Sequence, residues 1–198
     1  LKKRDLIVLL ASKLFKYGNF NEANQILKIY LSKNKLLNID PFNTFDWIMD
    51  LSDKNNIKSS FYFMTGISRI GKDSNYCLNN KIIKNLLIHI SNRGHNVGIH
   101  PSYYSYNDPI LIKKEAILFK KFCKQYKIEQ DIWGGRMHYL RWRFPSTLMG
   151  WDKTKFNYDS TLAFAERPGF RCGTCFEYPM FDLINQSILN IREKPLVF

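Results

Sequence analysis

The chain has 198 residues, one domain's worth of polypeptide or at most two small ones. With 45% hydrophobic, 15% aromatic and 24% charged residues, it is neither a disordered nor a collagen-like sequence, and no run reaches the roughly 18 apolar residues of a membrane-spanning helix. Thirty Lys and Arg against seventeen Asp and Glu give a formal charge of +13, a field that draws polyanions but does not choose among nucleic acid, anionic lipid and acidic polysaccharide.

The excess charge is spread along an Asn- and Ile-rich chain, as the codon usage of an AT-rich genome would also give. No basic recognition helix or aromatic ribonucleoprotein motif accompanies it, so nucleic acid is not the expected partner. Four cysteines, Cys77, Cys123, Cys172 and Cys175, are too few for a disulfide scaffold. Residue 1 is Leu, and the terminal Leu196-Val197-Phe198 reads as a strand just beginning. The sequence therefore reads as a fragment, incomplete at both ends.

Lys2-Lys3-Arg4 before Leu6-Ile7-Val8-Leu9-Leu10-Ala11 looks superficially like a leader peptide. The apolar run is short, Asp5 interrupts it and no small-x-small cleavage site follows. The better reading is a helix pair: Leu6, Leu9, Leu10 and Leu14 form one stripe, Gly18-Asn19 breaks it, and Ala23, Ile26, Leu27 and Tyr30 form the next. The compartment stays open between cytoplasm and cell envelope.

Asn43 or Thr44 then caps a helix whose apolar face holds Phe45, Ile48 and Met49. Residues 57–64 form a short apolar, aromatic-rich run, hence a buried strand. A polar loop spans 66–80, and Ile82, Ile83, Leu86, Leu87 and Ile90 mark a helix that ends at a left-handed Gly94. Val97-Gly98-Ile99-His100 is a strand stopped by Pro101. The next helix, 111–126, turns Ile112, Ala116, Phe119 and Cys123 inward. Gly134-Gly135 opens a turn into an expected strand at Met137–Leu140, Pro145-Ser146-Thr147 starts a helix, and 158–162, 169–171 and 196–198 read as strands or strand ends. This alternation argues an α/β domain with a mostly parallel sheet. In such folds the working residues follow the C-terminal ends of strands, which singles out residues 98–102, 136–141 and 158–161.

The segment Arg93-Gly94-His95-Asn96-Val97-Gly98-Ile99-His100-Pro101-Ser102-Tyr103 resembles the Gly-His-Glu-(Ile/Val)-Gly-x-His signature of the polysaccharide deacetylase family, in its envelope-polysaccharide branch. Gly135–Trp142, Tyr158–Ala165 and Gly169–Cys175 resemble further blocks of that branch, in the same order. The resemblance runs from about Asp40 to Phe198 and implies a helical insertion or lead-in at 1–38 and a partial deacetylase-like domain at 39–198. It implies a distorted (β/α) barrel, incomplete here, and a divalent metal, usually Zn2+, held by an Asp and two His. The implied reaction is metal-dependent deacetylation of an N-acetylated sugar in a cell-envelope polysaccharide or its precursor.

Carried over to this chain, the resemblance makes His100 the first metal ligand. The family's second histidine falls at Tyr104, a poor zinc ligand, so His138 is the candidate partner. The Asp-rich first strand would lie upstream of residue 1; Asp40 and Asp46 are the nearby acids, and Asp46 reads as a helix-dipole charge. Arg141 (or Arg143) resembles the positioning arginine, and Asp159 the acid that pairs with an Arg or His behind the site. Tyr103, Tyr104 and Trp142 are candidates for stacking a sugar, with core packing as their plainer role. His89 and His95 read as ordinary helix and loop histidines, and Cys172 and Cys175 as a pair without the second pair a structural zinc site needs. The alternative function is a non-catalytic, deacetylase-like carbohydrate-binding domain.

Overall fold

The first thirty residues fold as the expected pair of helices, with Leu27 of the second stripe left exposed. Helix α1 (Lys3–Ala11) runs into a π-helical turn at Ser12–Lys16, Gly18 reverses the chain at φ +59°, and α2 (Phe20–Leu31) follows. Leu6, Ala23 and Ile26 are buried where α1 and α2 pack together. The computed structural model describes residues 3–31, 43–65, 72–74, 76–164 and 166–197. Asp40, most of the first half of the 66–80 loop, and Phe198 lie outside the described residues, as does the side chain of Tyr30.

Contacts divide the chain after Ile57 into two units. The first ends with α3 (Phe45–Lys54), which has Thr44 at its cap, Asp46 in its first turn and Met49 fully buried.

The second unit is built on a six-stranded sheet. Its members are β1 (Ser60–Phe63), β2 (Asn96–Ile99), β3 (Gly134–Gly135), β4 (Tyr158–Asp159), β5 (Tyr178–Asp182) and β6 (Ser187–Glu193). The order is β1-β2-β3-β4-β6-β5, parallel throughout except for the antiparallel β5–β6 edge. Among the described residues β1 and β5 do not pair with each other, so the architecture is a mixed α/β fold with a parallel sheet, and barrel closure is not seen.

Helix α4 (Lys81–Asn92) starts where Asn80 accepts the Ile82 N–H at 3.0 Å, and Gly94 terminates it at φ +81°. Asp108 caps α5 (Pro109–Gln125) by accepting from Ile110 N and Leu111 N, both at 3.0 Å, with Pro109 pre-setting the first turn. Ile112, Ala116, Phe119 and Cys123 are all buried, as their helical spacing requires. Helix α5 packs on β2 and on α6 (Ser146–Asp152), whose Trp151 is also fully buried.

Two glycines let the central strands approach. A Cβ on Gly134 would lie 2.2 Å from the Tyr158 ring, and one on Gly98 would lie 2.4 Å from the Gly134 carbonyl. Tyr62 and Tyr158 fill the space these glycines leave, and their hydroxyls meet at 3.2 Å.

Three expected strands are corrected. Gly134-Gly135 is itself the strand, and His138–Leu140 is a 3-10 turn with Tyr139 at φ +57° and Leu140 at φ +53°. Residues 169–171 lie in bends and turns, and residues 196–197 lie outside any strand. The β5–β6 hairpin was not anticipated. Its reversal is set by Asp182, which accepts from Ile184 N at 2.8 Å and Asn185 N at 3.2 Å. Charged Glu193 and Arg192 interrupt the apolar pattern that would have announced β6.

Candidate functional site

The site grows from the loops after β2 and β3. His100 follows β2 directly and is held by its own N–H, which donates to Phe63 O at 2.8 Å. The Pro101-Ser102 backbone that follows is pinned by Glu115 of α5, whose carboxylate accepts Ser102 N at 2.9 Å and Ser102 Oγ at 2.5 Å. Glu115 is buried, and desolvation raises its pKa against the lowering pull of those two bonds. From the next strand end, His138 N reaches Pro101 O at 3.3 Å.

These anchors bring the two predicted histidines together. His100 Nε2 and His138 Nδ1 stand 2.9 Å apart, with ring centroids 4.9 Å apart and nearly perpendicular. Their outer nitrogens are both spoken for: His100 Nδ1 meets Arg136 O at 2.7 Å, and His138 Nε2 meets Lys72 O at 2.8 Å. A carbonyl only accepts, so each outer nitrogen must carry the proton. Neutral imidazoles with that tautomer point two lone pairs at each other, an arrangement that calls for a proton or a cation between them. Burial and the neighbouring imidazole push the His100 pKa down to about 4, which keeps its inner lone pair free at neutral pH.

Asp73 is the residue that sequence reasoning missed, because it sits in what reads only as a polar loop. Its side chain is 1% exposed, Oδ1 lies 3.6 Å from His138 Nε2 and accepts Tyr103 N at 2.8 Å, and Oδ2 has no hydrogen-bond partner. A carboxylate on the outer edge of a histidine fixes its tautomer and makes its inner nitrogen a better donor to metal. The pair therefore fits a divalent cation in donor type and tautomer. Among the described residues, however, no three His, Cys, Asp or Glu side chains gather as a complete ligand set.

The other predicted residues fall into two groups. Tyr103 and Tyr104 join the histidines, with Tyr103 in edge contact with Tyr104 at 5.0 Å and 6.4 Å from the His138 ring. Arg141 lies against Tyr103 and Tyr106, 3.9 and 3.7 Å from their ring centroids, and its Nη1 donates to Tyr103 O at 2.9 Å. It positions the tyrosine loop. Asp159 and Trp142 are set deeper: Asp159 is fully buried, and the Trp142 indole N–H faces it without reaching hydrogen-bond geometry.

Asp159 is linked to the His138 segment by a short chain of hydrogen bonds. Its Oδ1 accepts the Thr161 hydroxyl, and Thr161 Oγ1 accepts Met137 N at 3.0 Å, one residue before His138. Asp159 is also the register partner of Glu193 across β4 and β6. Asp159 Oδ2 and Glu193 Oε2 are both buried without a hydrogen-bond partner. Burial raises both carboxyl pKa values, and the Asp159 charge raises Glu193 further, while Arg136 pulls both down. Arg136 spends its hydrogen bonds on Ser160, with Nε to the carbonyl and Nη2 to Oγ, each at 2.9 Å.

The remaining histidines and cysteines stay outside the site. His95 is buried and accepts Ser59 N at 3.2 Å, His89 is an exposed helix residue, and Cys172 and Cys175 are free thiols.

The fold is similar to a crystal structure of a provisionally assigned polysaccharide deacetylase from Mycobacterium smegmatis, with a TM-score of 0.53 at 12% sequence identity. The similarity covers 98% of this chain and 55% of that one, so the chain spans about half the length of the structure it matches. No family model and no curated protein matches the sequence. No helix among the described residues is long and apolar enough to cross a membrane.

Proposed function

We propose that this chain carries the site of a metal-dependent carbohydrate deacetylase that acts on an N-acetylated sugar of a cell-envelope polysaccharide or its precursor. One observation carries the reading. Two imidazoles at the C-terminal edge of a parallel sheet meet nitrogen to nitrogen at 2.9 Å, with both outer nitrogens committed to backbone carbonyls. The fold similarity to a provisionally assigned deacetylase supports it, as does the order of the sequence blocks.

His100 and His138 would hold the ion, and a divalent metal bound there would polarise an amide carbonyl and acidify a water. Lys72 O holds His138 in its metal-binding tautomer, with the Asp73 carboxylate 3.6 Å from the same nitrogen, and Arg136 O does the same for His100. Glu115, through Ser102, fixes the loop that carries His100. Arg141 sets the tyrosines beside the pair.

The test is metal content and acetate release in the intact protein, wild type beside His100→Ala and His138→Ala. About one zinc per chain, lost together with acetate release in both variants, is the expected result. A wild type that binds N-acetylated oligosaccharide but retains no metal would replace this reading with the non-catalytic carbohydrate-binding one, which Tyr104 at the family's second histidine position favours.

A further inference from the structure

Tyr139 occupies a backbone conformation that nothing in the core rewards. It stands at φ +57°, ψ +22°, and Leu140 follows at φ +53°. Two successive residues with a Cβ in the left-handed region are costly, and such strain persists where the surroundings or a function impose it. Core burial does not offset it, since Tyr139 is 65% exposed. What the turn achieves is placement: it holds the Tyr139 ring 4.5 Å from the His138 ring and 5.5 Å from Tyr103. Tyr103 in turn touches Tyr104, which is 45% exposed.

The rim of this aromatic surface is cationic. Lys72 Nζ lies 5.3 Å from the Tyr103 ring centroid and the Arg141 guanidinium 3.9 Å from it. Among the described residues neither cation is in an ion pair. The Asp73 carboxylate, next to Lys72 in the chain, is buried and turned to Tyr103 N and His138. Exposed tyrosine rings take the apolar face of a pyranose, and unpaired Lys and Arg beside them take its anionic substituents.

We infer that Tyr139 is the stacking residue of a saccharide subsite beside the histidine pair, and that Lys72 and Arg141 make this subsite select N-acetylated glycans that carry carboxylates. The inference rests on the reading that this face handles carbohydrate. It adds a residue and a charge preference that the reading does not require.

Calorimetric titration of the intact protein with two probes tests it: a hyaluronan tetrasaccharide, which alternates N-acetylglucosamine with glucuronate, and neutral chitotetraose. The hyaluronan probe is expected to bind about tenfold more tightly at low salt, with the gap closing at high ionic strength and in Lys72→Ala. Tyr139→Gly is expected to weaken both probes by at least roughly tenfold while raising Tm, because glycine relieves the left-handed strain. Tyr139→Trp restores binding. A purely structural tyrosine would instead lower Tm on replacement. Unchanged affinity in Tyr139→Gly, or equal affinity for the two probes, overturns the subsite and leaves the deacetylase reading standing. Failure of both probes to bind the wild type overturns the two together.

Discussion

His100 and His138 meet at 2.9 Å at the ends of neighbouring strand segments, and Asp159 and Glu193 face each other as register partners further along the same sheet. Both are pairs of like titratable groups, and both are close enough to oppose a second charge of the same sign. Their surroundings give them opposite chemistry. The histidines are only partly buried, and their outer nitrogens are tied to carbonyls, which leaves their inner nitrogens facing each other at the open end of the strands. The carboxyls are fully buried with an orphan oxygen on each, so they relieve their repulsion by holding a proton. Access and second partners, more than residue type, decide which pair can bind a ligand and which stores a proton.

His100→Ala separates the two pairs most strongly. Zinc affinity is expected to fall by more than the ~10–100-fold that losing an outer-shell partner costs, measured by competition with a chromogenic chelator. A variant that keeps wild-type affinity would make the histidine pair a proton-sharing pair like the carboxylates.

The carboxyl pair is probed by Glu193→Gln, which keeps the acceptor for Leu162 N. Because both folded-state pKa values are raised, the stability that the protonated pair contributes is fully present below the ordinary carboxylate range. It is lost as pH rises through the folded-state values. The wild type should therefore lose stability between pH 5 and pH 8. Glu193→Gln should flatten that slope and gain on the order of 2 kcal/mol at pH 8, read by urea denaturation at both pH values. A parallel slope in the variant would show that Glu193 is ionised in the folded protein.

Asp73→Asn carries a smaller expectation, about a tenfold loss of zinc affinity with Tm nearly unchanged, since the amide oxygen can still accept Tyr103 N. Unaltered affinity would remove Asp73 from the site. The smallest effect is Ser102→Ala, about 1 kcal/mol of stability from the lost hydroxyl bond to Glu115, read by thermal denaturation.

Much of this was legible in the chain, and what was not has a common cause. The buried faces of α1, α2 and α5 follow from apolar spacing, and the caps at Asn80, Asp108 and Gly94 from local residue chemistry. His100 stands out because it follows a strand and precedes a proline. The strand expected at Met137–Leu140 fails because Gly134 and Gly135, which carry no apolar signal, are the only residues slim enough to lie under Tyr158 and beside Ile99. Arg141 is a candidate through its resemblance to a positioning arginine and Trp142 as a sugar-stacking ring; Arg141 braces the tyrosine loop, and Trp142 faces a buried acid.

Local patterns along the chain were enough for the order of the helices, for strands β1, β2 and β4, for the α/β class with a mostly parallel sheet, and for the strand-end histidines. Tertiary packing brings His138 against His100 from 38 residues away, places Lys72 O on its outer edge from 66 residues away, and sets Asp159 opposite Glu193. Periodicity and capping are properties of neighbouring residues along one chain segment. These meetings depend on the register in which distant strands pair, and no local pattern encodes that register.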